Sequence, residues 1–192
     1  MSSLASVATP DVVAPTNQTV WNFDPSHSEL GFAVRHLMIS TVRGRFSGFK
    51  GTVALDGDDF STATVDVTID ATTVDTREPK RDAHLRSADF FDAARFPTLT
   101  FKSRRVENIG DGEFTLIGDL TIRGVSREVS LAVTAEGTQR DPWGNERAGF
   151  GARGTIKRSA FGLEWNQALE TGGVLVGDDV KLVIEAQLIR HA

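Results

Sequence analysis

Four histidines, His27, His36, His84 and His191, are the side chains of this sequence best suited to exchange a proton near neutral pH or to bind a metal through nitrogen. A three-histidine metal site would need His27, His36 and His84 to converge, and no two of them have the compact spacing of a zinc motif. The absence of cysteine removes disulfides, thiolate metal ligands and thiol nucleophiles together. No nucleophile elbow, phosphate-cradling P-loop or H-E-x-x-H pair occurs. Asp89 and Asp92 are close enough to act as paired carboxylates, but capping or solvation accounts for them equally well. Gly149-Phe150-Gly151-Ala152-Arg153-Gly154 fits the dinucleotide pattern G-x-G-x-x-G. That pattern works only between a strand and a helix N-terminus, and here it falls inside an alternating strand, where glycines ease a bend. Two dipeptides are left, Arg35-His36 and Arg81-Asp82, each placing polar groups beside strongly apolar residues. They suit either a salt bridge at a barrel rim or a grip on the head group of a ligand.

The scaffold that must position these groups has a period of two. Ala63, Val65, Val67, Ile69 and Ala71 fall on one face, while Thr64, Asp66, Thr68 and Asp70 fall on the other. A half-buried antiparallel strand produces that alternation. Similar rows run through Leu30, Phe32 and Val34; Phe49, Gly51, Val53 and Leu55; and Leu99 with Phe101. Phe114 to Ile122, Val129 to Val133, Phe150 to Ile156 and Val180 to Leu188 complete a set of about eight strands, the number at which a closed barrel can just enclose a small ligand. Asp56–Asp59, Asn108–Gly112, Arg123–Val125 and Asp141–Asn145 supply the Gly, Asn and Asp that hairpins require. One stretch, Glu78 to Ala88, lacks alternation and is rich in helix formers. It predicts a short helix leading into the aromatic segment Asp89-Phe90-Phe91-Asp92, laid across one mouth of the barrel.

Composition narrows the function. Of 192 residues, 26 are acidic and 21 basic, a formal charge of −5 that does not suit a surface tracking nucleic-acid phosphates. The aromatic residues are 12 Phe and three Trp with no Tyr, and Phe is the aromatic that needs no hydrogen-bond partner when buried. A Phe-rich interior is expected, whether packed solid or hollow. Residues 1–19 are rich in Ser, Thr, Ala and Pro and read as a flexible tail, leaving 20–192 as one barrel domain. No apolar run reaches the length of a membrane span or a signal peptide, so a cytoplasmic location is expected.

Several segments together resemble one family. Asp24-Pro25-Ser26-His27-Ser28-Glu29-Leu30-Gly31-Phe32, Val34-Arg35-His36-Leu37 and Val42-Arg43-Gly44-Arg45-Phe46 resemble the opening of YceI-like polyisoprenoid-binding proteins. Arg81-Asp82-Ala83-His84-Leu85, Asp89-Phe90-Phe91-Asp92 and Phe96-Pro97-Thr98-Leu99-Thr100-Phe101 follow in order. Gly118-Asp119-Leu120-Thr121-Ile122-Arg123-Gly124-Val125 and Arg158-Ser159-Ala160-Phe161-Gly162 come next. The likeness runs from about Trp21 to Leu188. It implies a lipocalin-like antiparallel barrel, a long apolar channel for an isoprenoid chain such as a quinone tail, and a homodimer. Carried onto this sequence, it implies an aromatic channel of Phe32, Phe46, Phe91 and Phe101 and a polar mouth of His36, Arg81 and Asp82. Val34 and Val67, on the apolar rows beside them, complete the expected ligand-binding set.

The expectation is therefore a carrier or store for a lipid-like small molecule, without cofactor, metal, nucleic-acid partner or transmembrane segment. Two other readings stand beside it. One is a small-molecule hydrolase or isomerase using His36 or His84 as general base. The other is a stress-related interaction protein with a solid barrel core. An apolar void running through the barrel separates the carrier from this last reading.

Overall fold

Alternating sequence becomes alternating burial along nearly every strand of the computed structural model, which describes residues 18–170 and 172–190. The strands are β1 (Gln18–Phe23), β2 (Glu29–His36), β3 (Ser40–Phe46), β4 (Phe49–Asp56), β5 (Asp59–Asp70) and the two-residue β6 (Val74–Asp75). After the helix α1 (Pro79–Arg86) come β7 (Thr98–Gly110), β8 (Glu113–Ile122), β9 (Val125–Arg140), β10 (Glu146–Lys157) and β11 (Val176–Arg190). A 3-10 turn, Arg158–Phe161, follows β10.

Every strand pairing is antiparallel, and the ring β1-β4-β5-β7-β8-β9-β10-β11 returns to β1, giving a closed eight-stranded barrel. Closure depends on the length of β11. Its last residues pair with β1 (Leu188 with Phe23), while its earlier part pairs with β2 (Val180 with Val34 through Glu185 with Glu29). β1 and β2 thus act as one strand bent at 24–28, and β3 and β4 bend beside them at 47–48. Two basic side chains, Arg147 and His27, meet Asp24 at the bend. Arg147 on β10 donates to Asp24 at 2.7 Å and to Asp141 at 2.8 Å, and Asp24 also accepts from the Ser26 backbone N–H at 3.0 Å; His27 completes the set, its Nδ1 at 2.9 Å from Asp24. Burial works to raise the Asp24 carboxyl, but bonds from Ser26, Arg147 and His27 outweigh it and hold the group well below the usual carboxylate range. Asp141, bonded by Asn145 and Arg147, is held low in the same way.

The expected fold class is present, an all-β lipocalin-like barrel with one short helix at an end, and the helix lies within the expected 78–88. The eight apolar rows correspond to β2, β4, β5 and β7 to β11. Three strands had no row of their own. β1 begins at Gln18, inside the stretch read as tail; residues 1–17 of that tail, and His191, lie outside the described residues. β3 carries Arg43 and Arg45 and interrupts its inward face with Gly44, and β6 is too short to show a period. The Gly149–Gly154 segment lies within β10, paired with β11 throughout and with β9 as far as Arg153, as expected from its alternation. Arg123 and Gly124 both adopt positive φ, 52° and 74°, at the tight β8–β9 turn. Among the described residues no helix is long and apolar enough to cross a membrane.

Candidate functional site: an apolar cavity inside the barrel

Inward-facing positions from all eight ring strands enclose a cavity of about 310 Å³. β11 contributes Val180, Leu182, Ile184, Ala186 and Leu188, each two residues from the last, and β5 contributes Ala63, Val65, Val67 and Ile69. Eight residues of strand span roughly 26 Å at the usual rise, or about 20 Å along the barrel axis after strand tilt. The void is therefore elongated. It is also dry in character, since its lining is almost entirely aliphatic and phenyl carbon. A solid core is overturned by this space.

Two aromatic clusters mark its ends. Near α1, the Phe46 ring centroid lies 5.8 Å from Phe32 and 5.5 Å from Phe91. Toward the β4–β5 turn, Phe60 stacks on Phe114 at 5.3 Å and meets Phe150 edge-on at 6.1 Å. At this second end the lining includes the exposed residues Asp58 and Thr138, so the cavity reaches solvent there. At the α1 end the lining residues Arg158, Phe161 and Leu163 are buried.

Six of the nine sequence-predicted ligand-binding residues line this space: Phe32, Val34, Phe46, Val67, Phe91 and Phe101. The other three are placed elsewhere. His36 shares the inward face of β2 but stands at the strand end beyond the lining. Arg81 donates to the Thr76 hydroxyl at 2.7 Å and to the Thr76 carbonyl at 2.8 Å. Asp82 is buried and accepts from the backbone N–H and hydroxyl of Thr76 at 2.9 and 2.5 Å. Both side chains thus clamp the segment between β6 and α1. The sequence showed the polar pair but not its partner, because Thr76, five and six residues earlier, is one of many threonines.

His84 packs edge-on against Phe90 and Trp165 at 5.0 and 4.7 Å, and its Nε2 lies 2.8 Å from Asp89. An orienting carboxylate for a general base is therefore present, but this pair is outside the cavity lining. Among the described residues, no three His, Asp or Glu side chains group closely enough to hold a metal ion.

The sequence did not single out Arg158 as a site residue, although it occurs within one of the segments quoted above. The period of two through Ala148, Phe150, Ala152, Gly154 and Ile156 carries one step further and puts Arg158 on the inward face. Its guanidinium donates from Nε to Gly177, from Nη1 to Leu163 and Trp165, and from Nη2 to Val176, all backbone carbonyls at 2.7–3.3 Å. Burial disfavours its charge and Asp178 opposes that effect. Arginine keeps its proton under such conditions. It is a cation set in the wall of an oily chamber.

Residues 21–188 match the YceI-like domain throughout. The chain belongs to the YceI-like family. It is 40% identical over 170 residues to a UPF0312 protein of Staphylococcus aureus strain USA300, an alignment covering 88% of this chain and 96% of that protein. Among solved structures, the YCEI protein of Campylobacter jejuni is 33% identical with a TM-score of 0.72, covering 82% of this chain and 90% of that one. BcnA of Burkholderia cenocepacia, 24% identical, superposes with a TM-score of 0.75 over 86% of this chain and 98% of its own. A polyisoprenoid binding domain from Saccharophagus degradans shares the fold at 16% identity and a TM-score of 0.60, covering 88% of this chain and 97% of that one. This YceI-like domain therefore has the barrel of its relatives, with the cavity at the centre of the matched region.

Proposed function

We propose that this YceI-like domain takes the apolar tail of an isoprenoid or other long-chain amphiphile, such as an isoprenoid quinone, into its barrel, and works as a carrier or store rather than an enzyme. The carrying observation is the elongated cavity of about 310 Å³ with a hydrocarbon lining. That size falls at the lower end of small-molecule sites, and the lining has few polar atoms with which to bind anything but an apolar chain. Each buried methylene contributes roughly 0.8 kcal/mol, while association costs at least about 4 kcal/mol, so short ligands gain little and long ones bind. The polyisoprenoid-binding description of the Saccharophagus degradans domain supports the same class of ligand. The proposal includes a homodimer and a cytoplasmic setting, which sedimentation and cell fractionation read directly.

The test is organic extraction of the purified protein with mass spectrometry of the extract, followed by titration of the stripped protein with an isoprenoid quinone. Recovery or uptake of a long-chain amphiphile at about one per barrel is expected. A protein that yields no lipid and takes up none has some other function.

A further inference from the structure

We propose that Arg158 is the head-group anchor of the cavity and that the barrel prefers amphiphiles whose head is a carboxylate. The inference rests on the lipid-binding reading above and names the ligand class for the same site.

Three observations carry it. Arg158 is nine-tenths buried and lines a cavity that is otherwise apolar through its middle. Its four hydrogen bonds all end on neutral carbonyls, those of Gly177, Leu163, Trp165 and Val176, and among the described residues no carboxylate forms an ion pair with it. Asp178, which acts on it through space, is itself bonded by the Ser159 N–H at 3.0 Å and the Ser159 hydroxyl at 2.9 Å. A guanidinium has five N–H donors, so one, on Nη2, has no partner among the described residues.

The four carbonyl bonds explain how Arg158 ties the loop after β10 to the start of β11. They do not neutralise it. A positive charge in a poorly screened chamber acts strongly on any acceptor nearby, and a charge-assisted bond to a carboxylate is about twice as strong as a neutral one. The opposite end of the cavity reaches solvent at Asp58 and Thr138, where a carboxylate head would meet a like charge at Asp58. The charge pattern thus orients the ligand, with its head at Arg158 and its tail toward the Phe60, Phe114 and Phe150 cluster.

The test uses the full-length protein stripped of lipid, with palmitate, hexadecanol and hexadecane competing in native mass spectrometry at pH 7.5. Palmitate is expected to bind roughly ten- to a hundredfold more tightly than hexadecanol, with hexadecane weakest. Equal binding of palmitate and hexadecanol overturns the anchor and leaves the lipid-binding reading intact. Binding of none overturns both. Arg158→Gln, checked for folding by near-ultraviolet circular dichroism, is expected to keep hexadecanol and lose the preference for palmitate. A folded variant that retains the full preference overturns the proposal, and if the variant does not fold, the head-group series on the unmodified protein decides alone.

Discussion

The Phe101 ring fills the space that a β-carbon on Gly118 would need, its Cζ lying 2.6 Å from that position. The Lys102 carbonyl oxygen is 2.5 Å from the same point, so the β7 backbone closes the gap from another side. A glycine on β8 thus makes room for a phenyl ring on the neighbouring strand, and the ring forms part of the cavity wall.

Gly118→Ala is accordingly expected to destabilise the fold by about 1–3 kcal/mol through overpacking. Urea unfolding should show a lower midpoint with an unchanged slope. A midpoint equal to that of the parent protein would mean the ring swings aside without cost.

Phe101→Asp places a carboxylate in the dry wall of the cavity. Lipid uptake is expected to weaken tenfold or more, because an ionised group in the hydrocarbon wall draws in water. Circular dichroism verifies that the barrel is retained, and titration with an isoprenoid quinone reads the loss. Normal uptake by the folded variant would show that the ligand lies elsewhere.

Asp82→Ala separates a structural clamp from a ligand contact. The change leaves the buried Thr76 N–H and hydroxyl without their acceptor, which costs about 1–3 kcal/mol. Affinity for an apolar chain should stay within about twofold, since Asp82 is not part of the lining. A large loss of affinity at unchanged stability would return Asp82 to the binding site.

Acid should loosen the barrel at the bend between β1 and β2. The carboxyls of Asp24 and Asp141 are held below their ordinary range in the folded state by hydrogen bonds and Arg147. Groups depressed in this way contribute stability that is fully present above the unfolded carboxylate value of about 3.9 and is lost as pH falls below it. The melting temperature should therefore hold from pH 7 down to about pH 5 and then drop. Arg147→Met is expected to lower it at pH 7 and to flatten the acid limb; an acid limb identical to that of the parent would assign the loss to other carboxylates.

The sequence alone determined eight of the strands, with their turns and inward rows, because a period of two is a local property that each segment carries by itself. The period placed Phe32, Val34, Val67 and Phe101 on faces that line the cavity, and the family resemblance added Phe46 and Phe91. The sequence missed β1, which starts inside the stretch read as tail, and β3 and β6, where arginines and short length erase the period, and it did not show that Arg81 and Asp82 turn back onto Thr76, five and six residues before them. Tertiary structure alone decided that the barrel is hollow, because a void is a difference between enclosed volume and side-chain volume, and neither strand curvature nor the way β11 divides its pairing between β1 and β2 is written in any one segment. It also turned Arg158 from one cation among many into a charge facing hydrocarbon. Burial of that kind comes from the closure of the whole sheet, not from the residues on either side.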